Sequence, residues 1–300
     1  MLLNMLLKQI QYRKGLKYCL EWKGDINMIE WPNGKKVAVS IAFDVDLELN
    51  WSESNRLDPG HIVHMSKGTY GAKQGIPRIL NMLDKQEIKG TFFIPAYNAE
   101  VYPELIKKIS RRGHEIACHG YHHYGISERT YEDDNKMLEK CEQIFMELTG
   151  QKIIGFRPCG EEYRDFVVKL LLKRGYKYMS FRGDWDGPRI CELDGKRVPL
   201  VDLCSDVFYD DTAYDYYIDS PPARYGIKSS SEQLKIWSDE FDGMSTECGK
   251  VMDFVIHPQF IGRACRVNML GELISYMKER GAWLATNKEI AEWVLNQNGF

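Results

Sequence analysis

From about residue 37 to residue 295, short runs rich in β-branched and aromatic residues alternate with longer stretches whose apolar residues recur at helical spacing. This alternation constrains the fold more than any other feature. Successive strands separated by helical crossovers run parallel, which implies an α/β domain whose sheet is either closed into a barrel or left open. The expected strands are Val37–Phe43, Thr91–Ala96, His114–Cys118, Ile153–Arg157, Tyr176–Phe181, Val198–Leu203, Met252–His257 and Ala282–Thr286. Between them "IPRILNMLDKQ" reads as a helix with Pro77 near its start, "EVYPELIKKISRR" as a second, and "NKMLEKCEQIFMEL" as a third that stops at Thr149-Gly150. Further helices are expected at Arg164–Arg174, Glu232–Asp239, Val267–Arg280 and Lys288–Leu295. With no internal repeat and no low-complexity linker, one domain is expected. The Asp- and Tyr-rich stretch Asp202–Ser231 reads as an excursion from the scaffold.

In a parallel barrel, chemistry sits at the C-terminal ends of strands, so the residues each strand runs into are informative. Four ends carry ionisable groups: Asp44-Val45-Asp46, Cys118-His119, Arg157-Pro158 and His257-Pro258. Asp44 and Asp46 lie two apart, so on extended chain both carboxylates face the same side, where they repel unless a cation or proton lies between them. A strand-end turn explains the same pair equally well. His119 and His123 are spaced i, i+4, which puts both imidazoles on one side of a helical turn, a spacing suited to two ligands of one metal or to a structural pair. His122 points elsewhere on that geometry. Two imidazoles and one carboxylate leave coordination positions open on a divalent ion, as a hydrolytic site requires.

Composition narrows the partners. A net charge of −3 from 40 basic and 43 acidic residues, dispersed along the chain, argues against nucleic acid or an anionic membrane as the main partner. The eight cysteines are scattered without a CxxC pair and read as reduced. The opening "MLLNMLLK" is short, has no basic residues before it and no small-residue cleavage site after it. It reads as a docking helix on a cytoplasmic protein, and no integral membrane span is expected.

The strand-end residues carry a family likeness: the chain resembles the polysaccharide deacetylases, metal-dependent amide hydrolases on a distorted parallel (β/α) barrel. The likeness runs from "WPNGKKVAVSIAFDVD" to "AWLATNKEIAEWV", which implies an N-terminal arm over residues 1–33 and a catalytic domain over 34–300. It implies that Asp44 is the general base and that Asp46, His119 and His123 hold a divalent metal, zinc by preference. "FRPCG" resembles the motif whose arginine holds the base, here Arg157, and "FVIHP" the motif whose histidine protonates the leaving amine, here His257. Three departures stand out. Val45 separates aspartates that are usually adjacent, Cys159 replaces an aromatic, and the aspartate that usually tunes the catalytic histidine has no clean match beyond the candidates Asp184 and Asp186.

With "YGAKQGIPRIL", "DEFDGM" and "HPQFIGRACR", these departures resemble a branch that holds peptidoglycan deacetylases without signal peptides alongside hydrolases of allantoin and cyclic imides, some of which work without a metal. That branch implies a homo-oligomer, with the arm packed on a neighbour. The activity implied is removal of acetyl from an N-acetylated saccharide by a metal-activated water. The rivals are opening of a small cyclic amide and a non-catalytic binding protein. Trp51, Trp185 and Tyr214 are candidates for a sugar-stacking wall, and Arg263 and Arg266 for contact with an acidic substrate group or a neighbouring subunit.

Overall fold

The computed structural model describes residues 29–52, 62–123, 129–161, 163–164, 166–180, 183–218 and 224–300. Nearly all of the expected N-terminal arm and its docking helix lies outside these residues. The part of the arm that is described is docked on the body: Ile29 and Trp31 are buried, and Trp31 Nε1 donates to Lys250 O at 3.0 Å.

The strands are β1 (Val37–Ser40), β2 (Ala42–Asp44), β3 (Thr91–Ile94), β4 (Glu115–Cys118), β5 (Gly155–Phe156), β6 (Tyr178–Ser180), β7 (Pro188–Leu193), β8 (Lys196–Leu203), β9 (Tyr217–Ile218), β10 (Arg224–Tyr225), β11 (Lys250–Asp253) and β12 (Trp283–Leu284). One sheet has the order β2-β3-β4-β5-β6-β8-β7, a second β11-β1-β12, and β9 and β10 form a small antiparallel pair. Every neighbouring pair in the two main sheets is parallel except β7 with β8. The single run expected over Val37–Phe43 is two strands because it changes partners at Ile41. Before it the chain pairs with β11 and β12; after it, with β3 on one side and Ile256 on the other. That exchange curls the sheets into the distorted barrel that the family likeness implied, where the alternation alone left a barrel or an open sheet. Across from it, the amide of Val251 reaches Asp186 O at 2.9 Å, bringing β11 to the β7 side.

The hairpin of β7 and β8 was not foreseen, because Gly187-Pro188 reads as loop. Its turn is Asp194-Gly195, both at positive φ (52° and 71°), the backbone that a tight two-residue connection needs.

Helices cover the outside. In the helix Ile76–Lys85, the side chains of Ile76, Ile79, Leu80 and Leu83 share a buried cluster with Phe43 and Phe92. Burying each contributes about 1.5–3 kcal/mol, so truncating Leu83 to alanine would cost about 2–5 kcal/mol. The last helix, Asn287–Gln297, opens on a reciprocal cap in which Thr286 Oγ1 accepts from the Glu289 amide and Glu289 accepts from the Thr286 amide. No helix among the described residues is long and apolar enough to cross a membrane.

The interior of the ring is not wholly apolar. Ser40, Asp44, Thr91, Arg157, Ser180, Asp253 and Asn287 are all buried there, and they meet in hydrogen bonds rather than in dispersion contacts.

Candidate active site

Asp44 ends β2 with its backbone fixed on both sides. Its amide donates to Ile256 O at 2.9 Å, and that of Val45 to Phe93 O at 2.8 Å. The chain then turns at Leu47, which takes φ 51°. Asn98 Nδ2 clamps this turn by donating to Val45 O (2.7 Å) and Asp46 O (2.8 Å). Both carboxylates consequently face the same imidazole: His119 Nε2 lies 3.6 Å from Asp44 Oδ2 and 3.5 Å from Asp46 Oδ1. Asp46 Oδ2 lies 3.2 Å from His123 Nε2 and 3.3 Å from His257 Nε2.

His119 leaves β4 and is locked by its backbone and its ring. Its amide donates to Ile94 O, and its Nδ1 meets the carbonyl of Arg157 at 2.8 Å. A carbonyl only accepts, so Nδ1 carries the proton and Nε2 presents a lone pair to the aspartates. Burial pushes the His119 imidazole below its ordinary value against the pull of Asp44 and Asp46, which keeps it neutral.

The expected helical turn from His119 to His123 is absent. Gly120 sits at φ 73°, and the carbonyls of Gly120 and Tyr121 are taken by the amides of Ala96 and Tyr97. The segment is a bend that still brings both imidazoles to Asp46. His122 turns away and stacks on Tyr97, with ring centroids 4.8 Å apart.

Arg157 leaves β5 and is 1% exposed. Its Nη1 donates to Asp44 Oδ1 at 2.6 Å, and its Nη2 to Asp253 Oδ2 at 3.0 Å. Burial opposes the charge, but the two carboxylates outweigh it and raise the guanidinium further above its ordinary value.

His257 follows β11 and is gripped by an aspartate that sequence reasoning missed. Asp211 Oδ1 lies 2.7 Å from His257 Nδ1, and Asp211 Oδ2 accepts from the His257 amide at 2.9 Å. Burial lowers the His257 imidazole, and the Asp211 charge, with hydrogen bonds to Asp211 and Asp46, overrides it and carries the imidazolium well above the ordinary value. Burial raises Asp211 itself to about 6.

Asp211 comes from the Asp202–Ser231 excursion, which β-bridges onto the strand end through Asp210 and Val255. The adjacent acids in "FYDDTAY" were the available signal. Asp184 and Asp186 are elsewhere: the first pairs with Arg189 at 2.7 Å, and the second lies 3.8 Å from Lys250.

The expected stacking wall does not form. Trp51 is buried against Tyr216 and Phe260, Tyr214 packs on Trp237, and Trp185 lies near Lys250. Arg266 is buried on Asp215 and Gln233, and Arg263 lies over the Tyr70 ring.

The donor set suits a divalent cation. Asp46 Oδ1 is buried with no hydrogen-bond partner, and the lone-pair nitrogen of His119 lies 3.5 Å from it, an arrangement of facing acceptors that a positive ion resolves. Donor atoms of His119, His123 and Cys159 also lie within 4.8 Å of one another. The Cys159 thiol, however, is turned to His119 O at 2.6 Å, so Asp46 is the better third donor.

A family model for polysaccharide deacetylase matches residues 67–179. A peptidoglycan deacetylase of Helicobacter pylori is 27% identical over 293 residues, spanning 88% of this chain and 98% of that protein. An allantoinase structure superposes with a TM-score of 0.80 at 19% identity over 94% of this chain and 97% of that one, a likeness of fold. A Mycobacterium smegmatis structure assigned to the polysaccharide deacetylases is 31% identical, with a TM-score of 0.85 over 92% of this chain and 96% of that one. A likeness that close, along nearly the whole length of both chains, shows that the chain belongs to the polysaccharide deacetylase family of hydrolases.

Proposed function

We propose that the protein removes the acetyl group from an N-acetylated sugar of the peptidoglycan type, with Asp44 as base, His257 as acid, and Asp46, His119 and His123 holding a divalent metal. The observation that carries this reading is the pair of supported side chains around Asp46: Asp44 is held by Arg157 at 2.6 Å, and His257 by Asp211 at 2.7 Å. Amide hydrolysis needs both kinds of group, a base for the attacking water and an acid for the departing amine.

Two imidazoles and a carboxylate suit zinc, which would supply Lewis acidity toward the amide carbonyl and its water. Asp44 accepts from Arg157 through Oδ1 at 2.6 Å, which holds the carboxylate in place to take a proton from water beside it. His257, charged and hydrogen-bonded through Nδ1 to Asp211, carries on Nε2, 3.3 Å from Asp46 Oδ2, the proton that it delivers to the amine nitrogen. Without that delivery the tetrahedral adduct expels water and returns to amide. The family likeness to a peptidoglycan deacetylase over 88% of the chain supports the sugar substrate.

The experiment is acetate release from N-acetylglucosamine–N-acetylmuramic acid fragments by the zinc-loaded protein, with allantoin as the competing substrate. Acetate from the sugar with allantoin untouched is expected. Ring opening of allantoin without acetate would replace this reading with that of a cyclic-amide hydrolase.

A further inference from the structure

Asp253 has no part in the roles above, yet it is a fully buried acid on the catalytic arginine. It ends β11, in register with Ser40 of β1. Its Oδ2 accepts three hydrogen bonds: from Arg157 Nη2 at 3.0 Å, Ser180 Oγ at 2.6 Å and Asn287 Nδ2 at 2.8 Å.

Each of these donors is itself held. Ser180 Oγ, with its proton committed to Asp253, accepts from Arg157 Nε at 3.1 Å and Nη2 at 2.9 Å. Asn287 accepts from Ser40 Oγ through Oδ1 and donates its amide to Thr91 Oγ1 at 2.9 Å. The reciprocal cap of Thr286 and Glu289 sets it at the first position of the last helix.

A guanidinium is a rigid planar fork, so fixing Nε and Nη2 fixes where Nη1 points. Here Nη1 points at Asp44 Oδ1. A second buried carboxylate on one guanidinium is an expensive way to add stability, because desolvating another charge offsets much of the attraction. The three-donor cradle is accounted for by geometry rather than by stability.

We propose that Asp253 is a positioning residue for the hydrolytic reaction. It orients Arg157, through its own oxygen and through Ser180, so that Arg157 holds Asp44 in its working rotamer, and Asn287 anchors the arrangement to the last helix. This rests on the reading of Asp44 as the base.

The test compares Asp253→Ala and Asp253→Asn with the unsubstituted protein, all zinc-loaded, on the same disaccharide fragments, and adds a crystal structure of Asp253→Ala. Displacing the base by about 1 Å lowers kcat by about 10²-fold, so Asp253→Ala should fall by that order with KM and zinc content unchanged. Asp253→Asn keeps the accepting oxygen and should recover most of the loss. The crystal structure should show Arg157 Nη1 withdrawn from Asp44.

The proposal is overturned if Asp253→Ala stays within about twofold of the unsubstituted kcat, if Asp253→Asn is as impaired as Asp253→Ala, or if KM or zinc content accounts for the loss. If Asp253→Ala does not fold, Asn287→Ala removes one of the three donors. A smaller fall in kcat with KM and zinc unchanged then supports the proposal, and an unchanged kcat overturns it. If the unsubstituted protein releases no acetate, the functional reading has failed separately, and the position of Arg157 in the crystal decides the structural claim: still on Asp44, the proposal falls.

Discussion

His119 and His257 approach different oxygens of the same carboxylate, Asp46, at 3.5 and 3.3 Å, and both are buried. What separates them is the partner on the other ring nitrogen. His119 meets the carbonyl of Arg157, a neutral acceptor, and stays an uncharged imidazole with a free lone pair. His257 meets the carboxylate of Asp211, and that charge keeps its proton in place. Burial acts on both alike; the atom opposite Nδ1 leaves one imidazole neutral and the other charged, as the proposed roles of metal ligand and acid require.

The largest effect expected from breaking this contrast comes from the proposed base, Asp44. Asp44→Ala should lower kcat by about 10²–10⁴-fold while zinc content is retained, since Asp44 is held by Arg157 rather than counted among the three donors. A variant that loses its zinc would place Asp44 on the ligand side instead.

Asp211→Asn tests the His257 half. Removing the charge opposite Nδ1 lowers the imidazolium pKa, so the acid is lost sooner as pH rises and the alkaline limb of the kcat profile moves to lower pH. The fall in kcat at neutral pH should be about 10²-fold or less. A limb that stays in place would show that Asp211 does not govern His257.

His114 supplies an effect on stability alone and a third case of the same side chain. Its Nδ1 accepts from the Gly90 amide at 3.2 Å, and its Nε2 is buried without a hydrogen-bond partner. Burial, with the nearby Lys89 charge, lowers it from 6.5 to about 4. Between those values the unfolded chain binds a proton that the native protein does not, so stability is full above pH 6.5 and is lost as pH falls toward 4. The loss is about 3 kcal/mol. Urea unfolding of His114→Phe at pH 7 and pH 4.5 should show a smaller acid loss than the unsubstituted protein, and an equal loss would contradict the assignment.

The two halves of the site differ just as much in how far the sequence discloses them. Asp44, Asp46, His119 and His123 lie in short local patterns at strand ends, and strand and helix periodicity placed those ends well. Even there the route was misread. Gly120 at positive φ makes a bend where the i, i+4 spacing suggested a helical turn. Asp211 stands 46 positions from its partner along the chain, in a stretch without periodicity, and the adjacent acids of "FYDDTAY" that mark it do not by their spacing rank above Asp184 and Asp186. Asp253 was hidden differently. Within a strand it reads as an ordinary alternating residue, and only the approach of β5, β6 and the last helix shows why a buried charge is there. Local spacing discloses residues that act through one turn of chain, and the packing of distant strands and helices assembles the rest.

The most direct measurement of this contrast is the zinc content of His119→Ala beside that of His257→Ala, each purified without chelator and assayed for acetate release. His119→Ala should be both zinc-depleted and inactive, and His257→Ala zinc-replete yet inactive. Full zinc in His119→Ala, or equal depletion in both, would contradict the assignment of one histidine to the metal and the other to the proton.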